Sequence, residues 1–181
     1  MRDHMTTKCV YAGSFDPPTN GHMWMMREGS RIFDSLIVTI GQNSEKHYTF
    51  SLEERMAMLK DLAGGMDNVS VDHYDNMFLV DYARAHGAGF ILRSIRDTKD
   101  YEYEKGIRNI NEDIDRDVIT VFLIPPSNIG AISSSLVKGL VGSEGWEKVV
   151  SKYVSAYTLK LMEKKYAEDR RRGVAPDIGN D

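Results

Sequence analysis

A single cysteine, Cys9, is present, so no internal disulfide forms and no cysteine-based zinc cluster can assemble. The five histidines are scattered without metal-ligand spacing. No apolar run approaches the length needed to span a membrane, and no basic-then-apolar leader opens the chain. An excess of basic residues is missing too, since 23 Lys and Arg against 27 Asp and Glu leave a net charge of −4. General nucleic-acid and anionic-membrane surfaces need a basic face, so neither partner is expected, and the cytoplasm is the expected compartment. Internal repeats and low-complexity linkers are also lacking. What is there, 181 residues that are 41% hydrophobic and 28% charged, has the make-up of one ordinary globular domain. Any phosphate must therefore be gripped by a local cluster of donors.

Short β-branched runs at residues 8–12, 36–41, 69–74, 89–93 and 118–124 read as strands buried in a parallel sheet. Between them, Met23, Met26, Ser30 and Phe33 fall on one helical stripe. Leu52, Met56, Leu59 and Leu62 form a second, opened by a capping box from Ser51 to Glu54. Leu79, Tyr82, Ala83 and His86 suggest a third, and Tyr103, Ile107 and Ile110 a fourth. This alternation predicts an α/β fold, a doubly wound Rossmann-like five-stranded parallel sheet, over residues 1–143. Residues 144–181 are expected to be a C-terminal helical extension of the same domain. There Val150, Tyr153, Val154, Tyr157 and Leu161 predict one amphipathic helix, followed by a charge run and a frayed end. Arg170, Arg171 and Arg172 lie beside Glu168 and Asp169 and read as a solvated helix end rather than a phosphate patch. Met1 to His4, ahead of a second methionine, are set aside from the fold. Cys9 lies in the first strand and reads as a small buried hydrophobe, and the methionines at 23, 25 and 26 as core packing rather than a soft-metal site.

The most informative stretch runs from that first strand through Gly13-Ser14-Phe15-Asp16-Pro17-Pro18 into a helix at Thr19-Asn20-Gly21-His22. At a strand-to-helix junction, backbone N–H groups lack helical partners and the helix dipole adds positive charge, which favours an anion. Gly21 lets backbone approach a ligand, and His22 supplies an imidazole N–H. In a doubly wound sheet, ligands sit at the carboxyl ends of the strands near the topological switch point. The Gly13 turn, the Gln42-Asn43 turn, the loop after Tyr74 and the Arg93 segment should then converge on one crevice. Arg93, ending the fourth strand, can offer paired donors to phosphate oxygens or form a salt bridge to Asp97 or Asp100. Lys46, taken alone, reads as a solvated lysine after the second strand. Ser133, Ser134 and Ser135 open a further helix, where a plain N-cap needs only one serine.

The Gly13-to-Pro17 turn followed by Thr-x-Gly-His resembles the phosphate motif of a nucleotidyltransferase superfamily, and within it the phosphopantetheine adenylyltransferases of coenzyme A synthesis. Phe50-Ser51-Leu52-Glu53-Glu54-Arg55, Arg93-Ser94-Ile95-Arg96, Asp100-Tyr101-Glu102-Tyr103-Glu104 and Ile132-Ser133-Ser134-Ser135-Leu136-Val137-Lys138 follow in that family's order. The resemblance covers residues 8–141. It implies transfer of AMP from ATP to 4′-phosphopantetheine, giving dephospho-coenzyme A and pyrophosphate, with Mg²⁺ entering with ATP. It also implies a homo-oligomer, a hexamer in that family.

Residue by residue, the resemblance implies catalytic roles for His22, Lys46 and Arg93, with His22 donating to the α-phosphoryl oxygens in the transition state. It places ATP against Ser14, Phe15, His22, Ser94, Ile95, Arg96 and Glu104, and against Ile129, Ile132, Ser133, Ser134 and Ser135. The acceptor would meet Ser14, Lys46, Leu79 and Arg93. Two departures stand out. Ser94-Ile95 replaces the family's Gly-Leu, and Ile129-Gly130-Ala131 lacks the aromatic usual three residues ahead of the serine run. A nicotinamide mononucleotide adenylyltransferase shares the histidine motif and is the main alternative. A cytidylyltransferase and a non-catalytic nucleotide sensor on the same fold follow it.

Overall fold

The computed structural model describes residues 6–43 and 45–173. The leader at residues 1–4 and the part of the expected frayed end at residues 174–181 lie outside them. Five strands, β1 (Lys8–Gly13), β2 (Ser35–Gln42), β3 (Val69–Asp75), β4 (Phe90–Ser94) and β5 (Ile119–Leu123), pair in the order β3-β2-β1-β4-β5, all parallel. Each lies within one residue of its predicted bounds. The fold is the doubly wound α/β sheet that the alternation predicts. β1 sits at its centre, with Tyr11 beside Val38 of β2 on one side and Leu92 of β4 on the other.

Burial on both faces explains the β-branched strands. Cys9 and Tyr11 point into a core with Met25, Met26 and Phe33 of the segment around α1 (Asn20–Ile32), and Leu59 and Leu62 of α2 (Leu52–Ala63). Val10 points to the opposite face, where Val80, Tyr82 and Ala83 of α3 (Leu79–Ala85) pack with Ile37, Ile91 and Val118. Cys9 is fully buried and burial pushes its thiol up to about 12, so it is a packing residue. α1 approaches the sheet closely because residue 29 is glycine. A Cβ there would lie 2.9 Å from Leu92 and 3.0 Å from Leu36.

Two helical expectations are corrected. The fourth stripe was expected to face the core, yet α4 (Thr98–Ile114) buries Glu104 and Asn111 and leaves Tyr103 and Ile110 exposed. The inward side of α4 carries ion pairing at the crevice, so its polar face points in. The single C-terminal helix is in fact two, α7 (Trp146–Val150) and α8 (Ala156–Arg172). Ser155 starts α8 by accepting the Thr158 N–H, and a serine N-cap has extended backbone that cannot continue a preceding helix. Helix α8 then buries Thr158, Met162 and Tyr166, while Tyr157 is exposed.

Residues 144–173 share a third core with the rest of the chain. Trp146, Val150, Val154, Met162 and Tyr166 pack with Phe50, Met58 and Val137. The extension also anchors the first turn of α1, where the Asn20 N–H donates to Tyr153 O at 2.7 Å and Asn20 Nδ2 to Lys152 O at 3.0 Å. Among the described residues, no helix is long and apolar enough to cross a membrane.

Candidate active site

Chain order reverses across the sheet between β1 and β4, so the loops leaving their carboxyl ends diverge and open a crevice. A cavity of about 510 Å³ fills it. Ala12, Gly13 and Ser14 line it from the end of β1, Lys46 from the loop after β2, and Arg93 and Ser94 from the end of β4. α4 adds Asp100, Tyr103 and Glu104. The far wall comes from Ile129 of α5 (Ser127–Gly130) and from residues 132–135 and Lys138 around α6 (Ser134–Gly139).

His22 is the third residue of α1 and lines this cavity. The backbone N–H of its N-cap, Thr19, donates to Nδ1 at 2.9 Å. A backbone amide can only donate, so Nδ1 is the acceptor and the neutral ring carries its proton on Nε2. Thr19 Oγ1, at 3.1 Å, crowds the same nitrogen. Desolvation, with the nearby Arg96 charge second, lowers the imidazole from its usual 6.5 to about 4. His22 is therefore a neutral N–H donor at physiological pH. The ring of Phe15 meets it edge-on with centroids 5.0 Å apart, and Phe15 is itself 1% exposed at a positive φ of 49°. A non-glycine residue in that region is uncommon, and the buried ring offsets its cost.

Three cations at the cavity are each held by a carboxylate. Arg93 forks onto Glu104, with Nε to Oε2 at 2.8 Å and Nη2 to Oε1 at 2.5 Å, and Nη1 donates to Ala12 O at 3.0 Å. Glu104 thus takes the place of Asp97 or Asp100 as the partner expected for Arg93. Asp100 instead binds Arg96, at 2.7 Å to Nε and 3.2 Å to Nη2. Lys138 Nζ lies 3.3 Å from Asp16 Oδ2, with both side chains under a tenth exposed. Asp16 also accepts the N–H groups of Thr49 and Phe50, each at 2.9 Å, which ties the Gly13 turn to the loop before α2. Such pairs fix guanidinium orientation while leaving some of the five N–H donors of each arginine for a ligand.

The serine run divides its work. Ser133 Oγ caps α6 by accepting the Leu136 N–H at 3.0 Å, and Ser134 Oγ donates to Pro17 O at 2.8 Å. The first turn of α1 is also partly engaged, because the N–H groups of Thr19 and Asn20 have the internal acceptors given above. Gly21 lines the cavity, and a Cβ there would rest 3.4 Å from Ile132 O. A Cβ at this position would thus rest in ordinary van der Waals contact with the 129–132 segment.

Residues 10–140 match the family model described as cytidylyltransferase-like. The chain is 48% identical over 161 residues to a phosphopantetheine adenylyltransferase of Chromobacterium violaceum, covering 89% of this chain and 98% of that one. It is 52% identical over 154 residues to the phosphopantetheine adenylyltransferase of Neisseria meningitidis serogroup C, covering 85% and 91%. The chain belongs to the phosphopantetheine adenylyltransferase family. Its fold is shared with a solved Plasmodium falciparum nicotinic acid mononucleotide adenylyltransferase at a TM-score of 0.61 and 18% identity, over 88% of this chain and 96% of that one.

Within this nucleotidyltransferase, Ser14, His22, Lys46, Arg93, Ser94, Arg96 and Glu104 come together at the cavity, as do Ile129, Ile132 and the three serines. Three expected contacts are not among its lining residues. The side chain of Phe15 is buried behind His22, Ile95 lies between two lining neighbours, and Leu79 packs beside the Val80 core at the start of α3. Reading the sequence alone missed Asp16, Lys138 and Tyr103 as cavity residues. The spacing from Ser134 to Lys138, one helical turn, was the available signal for Lys138.

Proposed function

We propose that the protein transfers AMP from ATP to 4′-phosphopantetheine, giving dephospho-coenzyme A and pyrophosphate. The observation that carries this reading is the gathering of Ser14, His22, Lys46 and Arg93 around one cavity at the β1/β4 switch point. The named relatives at 48% and 52% identity support the same acceptor. An acceptor phosphate oxygen attacks the α-phosphorus of ATP. The new P–O bond forms as the bond to the β-phosphate oxygen breaks, and pyrophosphate leaves with the electron pair. The attacking oxygen is already anionic, so no general base is needed. Positioning and charge stabilisation carry the rate.

In this mechanism His22 Nε2–H donates to the α-phosphoryl oxygens as charge builds on them. Lys46 holds the acceptor phosphate from the β2 side, and Arg93, between the two halves of the crevice, reaches both substrates. Ser94 and Arg96 face the adenosine, and the serines at the start of α6 face the β- and γ-phosphates. Among the described residues, no group of three or more His, Cys, Asp and Glu is placed to hold a metal ion, and Asp16, Asp100 and Glu104 are all engaged by cations. These residues do not make a metal cage, and Mg²⁺ enters as part of the ATP substrate, on phosphate oxygens and water.

The proposal includes a cytoplasmic setting and a homo-oligomer, with a hexamer the form implied by family resemblance. Pyrophosphate release, assayed with ATP and either 4′-phosphopantetheine or nicotinamide mononucleotide, tests the acceptor. Turnover with the second and none with the first overturns the proposal. Sedimentation velocity and cell fractionation check the assembly and the compartment.

A further inference from the structure

Arg55 is 1% exposed, although its place in α2 calls for an apolar side chain. Removing a guanidinium from water is costly, and replacing a buried charge with a well-packed apolar group is often neutral or stabilising. Stability alone therefore gives little reason for an arginine here. Its contacts give another. Nη1 donates to Ser14 O at 2.9 Å, Nε to Phe50 O at 3.1 Å and Nη2 to Gln42 Oε1 at 3.3 Å, all uncharged acceptors. The ring of Tyr48 lies 4.0 Å from the guanidinium carbon, and Tyr48 Oη accepts the Asn43 N–H at 3.1 Å.

The loop that bears Lys46 runs from Gln42 to Phe50, so this one side chain contacts both of its ends and stacks on its Tyr48. The same guanidinium reaches Ser14 O, just beyond the end of β1. Only a planar fork of five N–H donors can serve three divergent acceptors and a ring face at once, and a lysine cannot. We infer that Arg55 is a positioning residue that sets the separation between Ser14 and the Lys46 loop, and with it the width of the acceptor-phosphate site. This rests on the acceptor reading proposed above.

The test is steady-state pyrophosphate release by Arg55→Lys and Tyr48→Leu, with ATP and 4′-phosphopantetheine varied in turn and folding checked by circular dichroism. Arg55→Lys keeps the charge but loses the fork. It should raise the acceptor KM about tenfold or more and change the ATP KM by less than about twofold, as expected for a displaced substrate-positioning group. Tyr48 is half-buried, and Tyr48→Leu should shift the acceptor KM in the same direction by a smaller factor. Unchanged acceptor KM in folded variants, or equal rises for both substrates, overturns the inference. If Arg55→Lys does not fold, Tyr48→Leu decides alone by the same criterion. Wild-type protein inactive with this acceptor overturns the functional reading, whereas active wild type with unaltered variants overturns only the role of Arg55.

Discussion

The backbone N–H of Thr19 donates to Nδ1 of His22 across 2.9 Å, and this contact decides which proton the ring offers a substrate. The two are three positions apart, N-cap and third residue of α1, so the helix start itself sets the tautomer. His22 occupies the position where a Glu or Gln closes a capping box, and it turns that structural device into a way of presenting Nε2–H. Because Nδ1 is committed, a base or nucleophile role would have to use Nε2, which already carries the proton.

His22→Ala should lower kcat by roughly two to three orders of magnitude, the usual effect of losing one donor to a developing oxyanion, with little change in ATP binding. Single-turnover kinetics with isothermal titration of ATP checks both halves. Isolation of an adenylylated enzyme would contradict the donor role.

The lowered pKa of His22 makes a stability prediction with a definite sign. The folded state holds the ring near 4, whereas the unfolded chain has the ordinary 6.5, so between those values the unfolded state binds more protons. The contribution is fully present above pH 6.5 and is lost as pH falls toward 4. Urea unfolding at pH 7 and pH 5 should show a smaller loss of stability for His22→Gln than for wild type. An equal loss in both proteins would place the ring in contact with water.

Lys46 and Arg93 should separate by step. Lys46→Ala is expected to weaken acceptor binding more than ATP binding. Arg93→Ala should impair both and also destabilise the fold, because Glu104 is left buried without its partner; the cost of breaking such a pair is on the order of 3 kcal/mol. Thermal melts alongside kinetics distinguish the two variants, since Lys46 is exposed and its removal should leave Tm nearly unchanged.

Ser94 lines the cavity where the family resemblance calls for glycine. Ser94→Gly should change ATP binding, and a loss of about 0.5–1.5 kcal/mol, the net worth of one hydrogen bond, would mean that the hydroxyl contacts the nucleotide. Tighter binding in a titration would mean that the serine crowds the nucleotide. No change would mean that adenosine does not approach the end of β4, and the role given to Arg96 would fall with it.

Much of the fold was legible because it rests on local patterns. Short β-branched apolar runs mark strands, and helical stripes with caps such as Ser51–Glu54 mark helices. The stripe at Tyr103, Ile107 and Ile110 misled for a physical reason. Amphipathicity shows that a helix has two faces, but which face turns inward depends on what it meets, and α4 meets Arg93. Arg55 was hidden in the same way. It stood inside a quoted motif, yet nothing local reveals that oxygens of Ser14, Gln42 and Phe50 lie within reach of one buried guanidinium.

The sequence by itself determined the strand order's raw material, the turn-to-helix motif ending at His22, and the presence of Ser14, Lys46, Arg93 and the serine run. The motif and the serine run follow from spacing along the chain, which short-range sterics and hydrogen bonding translate directly into structure, whereas the site roles of Ser14 and Lys46 come from the family resemblance. Tertiary structure alone decided that Arg93 pairs with Glu104, that Asp16 pairs with Lys138 over a separation of 122 residues, and that residues 152–153 anchor the start of α1. Each of these depends on how distant segments pack, because a buried charge or an unpaired backbone group takes whichever partner the fold brings within about 3 Å.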